Sequence, residues 1–209
     1  MKLKKFFTRG RLAIMLVVAI LLIDKAIKIW VKTSMPLQDR HYVTDWFYIL
    51  FIENNGMAYG MEIGSKLALS IFRLVAIVFI SYYIWLQSKK HARWGYIVCL
   101  SMVVAGAAGN LIDCMFYGLC FSSSDPLTVS EWVGFGNGYA PFLMGKVVDM
   151  FYFPIIETTW PDWMPFWGGQ DFVFFSPVFN FADASISVGV VALLFFYRKE
   201  VGQISFKRR

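Results

Sequence analysis

Two aspartates stand where acid–base chemistry could be done. Asp149 closes the run Gly145-Lys-Val-Val-Asp149, and Asp183 closes Phe179-Asn-Phe-Ala-Asp183 at the head of the last long apolar segment. An ionised carboxylate inside hydrocarbon is costly, and such residues usually face a pathway or an active site. If the two side chains meet, both cannot ionise cheaply, so they share a proton and present an acid beside a base.

Asparagines accompany the acids. Asn180 precedes Asp183 by one turn on one helix face. Asn110 and Asp113 repeat that spacing inside Ala105-Gly-Ala-Ala-Gly-Asn-Leu-Ile-Asp113, where the small residues let another helix approach closely. Either pair alone reads equally well as hydrogen-bonding glue between helices. Two such pairs at one depth, with Asp149 entering from the connection between them, favour a site. Asp24 reads either as a packing or capping acid tied to a nearby lysine or as part of that site. Asn54, just before Asn55-Gly56, is first of all turn chemistry.

The elements that must position these residues are helices in a membrane. Of 209 residues, 58% are apolar and only 16% charged, against about a quarter charged in soluble domains. A spanning helix needs roughly 20 mostly apolar residues, and four stretches qualify: 12–31, 67–86, 95–114 and 178–197. Chain-wide there is neither an internal repeat nor a low-complexity linker, so 1–209 reads as one integral membrane domain.

The net charge of +6 is a topology signal, which argues against a nucleic-acid partner. Lysines and arginines crowd the N-terminus, the 87–94 link and the C-terminus, which the positive-inside rule places in the cytoplasm. The start resembles a signal peptide but lacks a small-x-small cleavage site, and Asp24-Lys-Ala-Ile-Lys28 continues the helical pattern; it reads as a retained span. Lys25, Lys28 and Lys32 are expected to snorkel to the outer surface. Arg73, at a similar depth, reads either as another snorkelling cation or as a partner for Asp24. Cys99, Cys114 and Cys120 match no metal spacing; a disulfide between Cys114 and Cys120 stays open.

The first outer connection contains a strand-like run, Trp46 to Ile52, that suggests a small sheet on the membrane surface. The second, 115–177, holds half of the eight tryptophans. Its Trp160-Pro-Asp-Trp-Met-Pro-Phe-Trp167 stretch suits the headgroup level, and its prolines argue against a fifth span. Short interfacial segments that partly roof the site are expected there, and the apolar run 147–156 is too short to cross.

Taken together, Asp24-Lys in span one, Asn54-x-Gly56-x-Ala-Tyr-Gly60, Gly106 with Gly109-Asn-Leu-Ile-Asp113, Gly145-x-Val-Val-Asp149 and Phe179-Asn-x-Ala-Asp183 resemble bacterial lipoprotein signal peptidase (signal peptidase II). The pieces occur in family order and touch three of the four spans. The resemblance implies a four-helix aspartyl endopeptidase of the inner membrane with its site near the periplasmic leaflet. Its catalytic aspartates fall on Asp149 and Asp183, and its supporting residues on Asp24, Asn54, Gly56, Asn110 and Asn180. It implies no metal and no cofactor. The substrate would be a lipidated prolipoprotein, cut before its diacylglyceryl cysteine by an activated water, while its acyl chains stay among membrane lipids. The strand-like first connection and Asn54 would clamp the extended peptide by β-pairing, and a monomer is expected.

Two positions depart from the family pattern. Cys114 stands where the family usually has an arginine that holds the substrate backbone, and 31 residues (114–144) fill a gap that is usually short. A proton-coupled transporter is the alternative, because intramembrane carboxylates also form proton relays. The nearly uniform apolarity of the inner halves of the spans counts against it. A membrane scaffold would need no aspartate pair, and the Gly-x-Gly-Asp, Gly-x-Ser-Gly and His-Glu-x-x-His signatures of other intramembrane proteases are absent.

Overall fold

A computed structural model describes residues 8–55 and 66–203. Its first three helices outrun the apolar stretches that announce them. Helix α1 (Arg9–Ser34) starts at Thr8, whose hydroxyl accepts the Arg11 N–H at 3.3 Å, a preferred N-cap arrangement. Helix α2 (Lys66–Lys89) and helix α3 (Trp94–Cys120) follow the first outer connection. Both are long and apolar enough to cross a membrane by length and composition. Helix α3 is mostly buried and forms the centre of the bundle. Helix α2 is peripheral and leaves Phe72, Val78 and Phe79 exposed, a surface that an aqueous setting would not favour.

The sheet draws on both connections. Strands β1 (Arg40–Thr44), β2 (Phe47–Asn54), β3 (Val147–Tyr152) and β6 (Val178–Phe179) pair antiparallel in the order β1-β2-β3-β6. The strand-like run of the first connection is thus joined by the 147–156 run, whose residues are buried on both faces of β3. Ile52 sits opposite Asp149, and Asn54 opposite Val147. One apolar cluster, including Val31, Phe51, Tyr117, Phe121, Val148 and Met150, seals the sheet onto the ends of α1 and α3. The tryptophan-rich stretch is the tip of a separate hairpin, β4 (Ile156–Thr159) with β5 (Asp171–Phe174). Trp163 and Phe166 are exposed there.

One expectation changes and one open point is decided. The apolar run 178–197 is not one helix: its first two residues pair as β6, and α4 (Phe181–Phe196) begins only after Asn180. A capping box stops the helix there, and only 16 residues remain in α4. The last short helix, α5, spans Arg198–Gly202. Finally, Cys114 and Cys120 are free, buried thiols on the same helix. Six residues of α-helix separate their Cα atoms by roughly 9 Å, beyond what a disulfide can bridge.

Candidate active site

The site forms where α1, α3, the start of α4 and strands β2 and β3 meet. Close backbone approach brings them there. A Cβ on Gly106 would lie 2.2 Å from the Ala182 carbonyl oxygen, so only glycine lets α4 settle this far into α3. Gly145 does the same for β3. Its N–H donates to the Cys114 carbonyl at 2.9 Å, and an added Cβ would stand 2.3 Å from the Asp113 carbonyl oxygen.

Asn180 is the hub. Its Oδ1 accepts the Asp183 N–H at 2.9 Å, and Asp183 Oδ2 accepts the Asn180 N–H at 3.4 Å, which completes the capping box. With Oδ1 committed, the amide nitrogen must face the other way. It donates to Asp149 Oδ1 at 2.5 Å and to Asn110 Oδ1 at 3.1 Å. Asn110 Oδ1 also accepts from Lys28 Nζ at 2.8 Å, so the Asn110 amide nitrogen is turned to Asp183 Oδ1 at 2.7 Å. Asn54 donates its amide to Asp149 Oδ2. Each carboxylate therefore receives amide donors whose orientation other bonds dictate.

The two acids differ in surroundings. Asp149 is 3% exposed, whereas Asp183 is half-buried. Burial, and next the charge of Asp183, push the Asp149 carboxyl up to about 8, against the pull of the Asn180 hydrogen bond and of Lys28.

A buried ion cluster underlies the hub. Asp24 Oδ1 accepts the Ala182 N–H at 3.0 Å, satisfying a free donor of the first turn of α4. Its Oδ2 faces Lys25 at 3.0 Å and Lys28 at 3.3 Å. Asp113 pairs with Lys25 and, at 2.6 Å, with Lys28. Two acids and two lysines balance, as buried charges must.

This family model, described as Signal peptidase (SPase) II, matches residues 16–198. The chain belongs to the signal peptidase II family. A lipoprotein signal peptidase of Porphyromonas gingivalis is 49% identical over 194 residues, covering 92% of this chain and 85% of the relative. Another, of Amoebophilus asiaticus, is 31% identical over 213 residues, covering 97% and 81%. A solved bacterial membrane enzyme shares the fold with a TM-score of 0.60 at 23% identity, over 94% of this chain and 93% of that one. Membership makes the chain a peptidase of a membrane family, in keeping with its apolar helices.

Of the residues that the signal peptidase II resemblance singles out, Asp24, Asn54, Asn110, Asn180, Asp149 and Asp183 converge in one network. Gly56 lies outside the described residues. The pairing of Arg73 with Asp24 is not made: Asp24 takes Lys25 and Lys28, and Arg73 Nη1 lies 3.8 Å from Cys114 Sγ. Nor do the lysines snorkel. Lys28 and Lys32 are fully buried, and Lys32 pairs with Glu53 at 2.5 Å. Lys28 is the residue that sequence reasoning missed, although its i,i+4 spacing from Asp24 places both on one helix face.

Because Gly145 has backbone rather than a flexible side chain against it, Gly145→Ala must push β3 away from α3. Overpacking of this kind costs about 1–3 kcal/mol. We expect a lower melting temperature together with reduced peptidase turnover, since Asp149 moves with its strand; an unchanged melting curve would show that the contact yields freely.

Proposed function

We propose that this protein removes the signal peptide from diacylglyceryl-modified prolipoproteins by cutting before the lipidated cysteine, with Asp149 and Asp183 as one catalytic pair. The observation that carries this reading is the double role of Asn180, which donates to Asp149 while capping through Asp183. Family membership and the relatives named lipoprotein signal peptidase support the substrate class.

In this mechanism Asp149 holds the shared proton at neutral pH, because its carboxyl is pushed up to about 8. Asp183, half-buried, takes a proton from a water that attacks the scissile carbonyl. Asp149 donates its proton to the carbonyl oxygen as negative charge grows there, giving a tetrahedral diol. Asp183 then passes the proton it took to the amide nitrogen, the C–N bond breaks to release the amine, and Asp149 recovers its proton from the diol as the new carboxyl forms. Asn110 and Asn180 keep both carboxylates aimed throughout. Arg73 of α2 brings a guanidinium to the Cys114 position, and we assign it the substrate-backbone role that an arginine at that position would fill.

The four helices α1 to α4 serve as spans of one membrane unit with both termini cytoplasmic, which sets the carboxylates near the outer leaflet. Acyl chains of the substrate stay in lipid, and the hairpin tip around Trp163 and Phe166 rides at headgroup level. The protein works as a monomer. Strand β2 is paired on both sides, so any β-pairing with the substrate falls to an edge strand, β1 or β6, rather than to β2.

The test is incubation of the purified protein with a diacylglyceryl prolipoprotein peptide, with mass spectrometry of the product. A new N-terminus at the lipidated cysteine, formed at a rate that falls as pH rises through about 8, is expected. No cleavage of the lipidated peptide, or a rate that keeps rising past that pH, contradicts the proposal.

A further inference from the structure

At the end of the bundle remote from the carboxylates, α1 and α2 form an open groove of about 340 Å³ floored by Val104 of α3. Gly10, Ala13 and Val17 wall one side, and Ile84, Trp85 and Ser88 the other. The lining is almost wholly apolar; its polar residues are Ser81 and Ser88, and Ser88 Oγ is buried and makes no hydrogen bond. Immediately beyond it the rim turns basic. Lys89 and Lys90 are exposed, and Lys89 Nζ lies 6.0 Å from the ring centre of Trp85, itself a wall of the groove. Residues 9–11 and 89–93 add Arg9, Arg11 and Arg93 and contain no acid. Arg9 is held by the Ala92 carbonyl at 2.6 Å and Arg93 by Glu200 at 3.3 Å, whereas Lys89 and Lys90 are exposed and can face an outside charge.

We propose that this groove holds an acyl chain of an anionic phospholipid, with its phosphate against Lys89 and Lys90 and the Ser88 hydroxyl donating to a headgroup or ester oxygen. An apolar slot that ends in an unpartnered hydroxyl and then cations has the order of groups that a phospholipid presents. Charge separates this occupant from the other apolar candidate, the helix of a signal peptide. Such a peptide carries a positive n-region, which the basic rim repels, whereas basic clusters at a membrane surface attract anionic lipid. The site is distinct from the peptidase centre, and its occupancy requires no turnover.

The experiment uses the full chain in micelles with equal amounts of phosphatidylglycerol and phosphatidylcholine of the same acyl length, read by native mass spectrometry. Wild type is expected to retain one phosphatidylglycerol in preference to phosphatidylcholine. Gly10→Phe is expected to reduce that retention at least about tenfold, because a Cβ at Gly10 meets nothing within 4 Å and the ring can enter the groove. The pair Lys89→Gln and Lys90→Gln is expected to lose the preference for the anionic lipid while still cleaving a prolipoprotein peptide. Equal retention of the two lipids by wild type overturns the proposal, as does undiminished retention by Gly10→Phe. Should Gly10→Phe fail to fold, the exposed lysine variant decides alone, and an unchanged preference there overturns it. A protein that binds lipid in this way but cleaves nothing bears on the peptidase reading and not on this one.

Discussion

Asp149→Asn abolishes cleavage and leaves a protein that is more stable than wild type above pH 8. Loss of a positioned acid or base typically costs about 10²–10⁴-fold in rate, and with Asp149 and Asp183 proposed as one unit the upper end is expected. The gain in stability follows from the protonation of Asp149. In the unfolded chain an aspartate titrates near 3.9, whereas in the folded protein Asp149 is pushed up to about 8, first by burial and then by Asp183. Between those values the native state holds a proton that the unfolded state has released, so the stability tied to this group is full below about pH 4 and is lost as pH rises through about 8. Asparagine never ionises, so the variant escapes this loss.

The amide can be accommodated on one side only. Asn180 cannot turn over, because its Oδ1 caps α4. The new side chain must therefore offer oxygen to Asn180 and nitrogen to Asn54, which has to reverse its own amide. Melting curves at pH 6 and pH 9 check the prediction; a variant that is less stable at both would contradict it. Asp183→Asn should be equally inactive but about 1 kcal/mol less stable, because it loses half of the capping box.

Lys28→Met has the largest expected effect on folding. It removes one of two lysines from a cluster in which Asp24, Lys28 and Asp113 are all fully buried, so one carboxylate is left without a counter-charge. Breaking a buried pair from one side costs about 3–5 kcal/mol. The variant also removes one of the two donors that orient Asn110, leaving its Oδ1 the Asn180 amide alone. A reversed amide would aim oxygen at Asp183. Adding Asp113→Asn restores the balance of charge, one acid to one lysine, and should recover much of the stability. It should not fully recover the rate, because Asn110 Oδ1 still lacks the Lys28 donor. Thermal unfolding and cleavage, measured on both variants, separate these effects. A rate that returns together with stability would reduce Lys28 to a purely structural role.

The acids were legible in the sequence because polar residues inside apolar runs are conspicuous, and family motifs tie Asp149, Asp183, Asn110 and Asn180 to one place. What joins them was harder to read. Asn110-x-x-Asp113 and Asn180-x-x-Asp183 share a spacing but not a structure: the first pair lies within α3, and the second closes the N-terminus of α4. The capping-box pattern at 180–183 was available as a helix start signal, yet the preceding Val178-Phe179 merges with the helical hydrophobicity and conceals β6. Strand β3 was ambiguous for a related reason, since a short run buried on both faces has no period to separate strand from helix. The lysines of α1 were misplaced because snorkelling is a local rule, whereas Lys28 is held by Asp113 and Asn110 of α3, contacts that no window along the chain contains.

The central claim is that Asp149 and Asp183 act as a single device, and a double-mutant cycle on cleavage of a lipidated prolipoprotein peptide tests it most directly. Residues that work as a unit are grossly non-additive. The account predicts that Asp149→Asn, Asp183→Asn and the combined variant are all reduced to the same residual rate, with wild-type folding retained. Additive losses, or near-normal cleavage by either single variant, would contradict it.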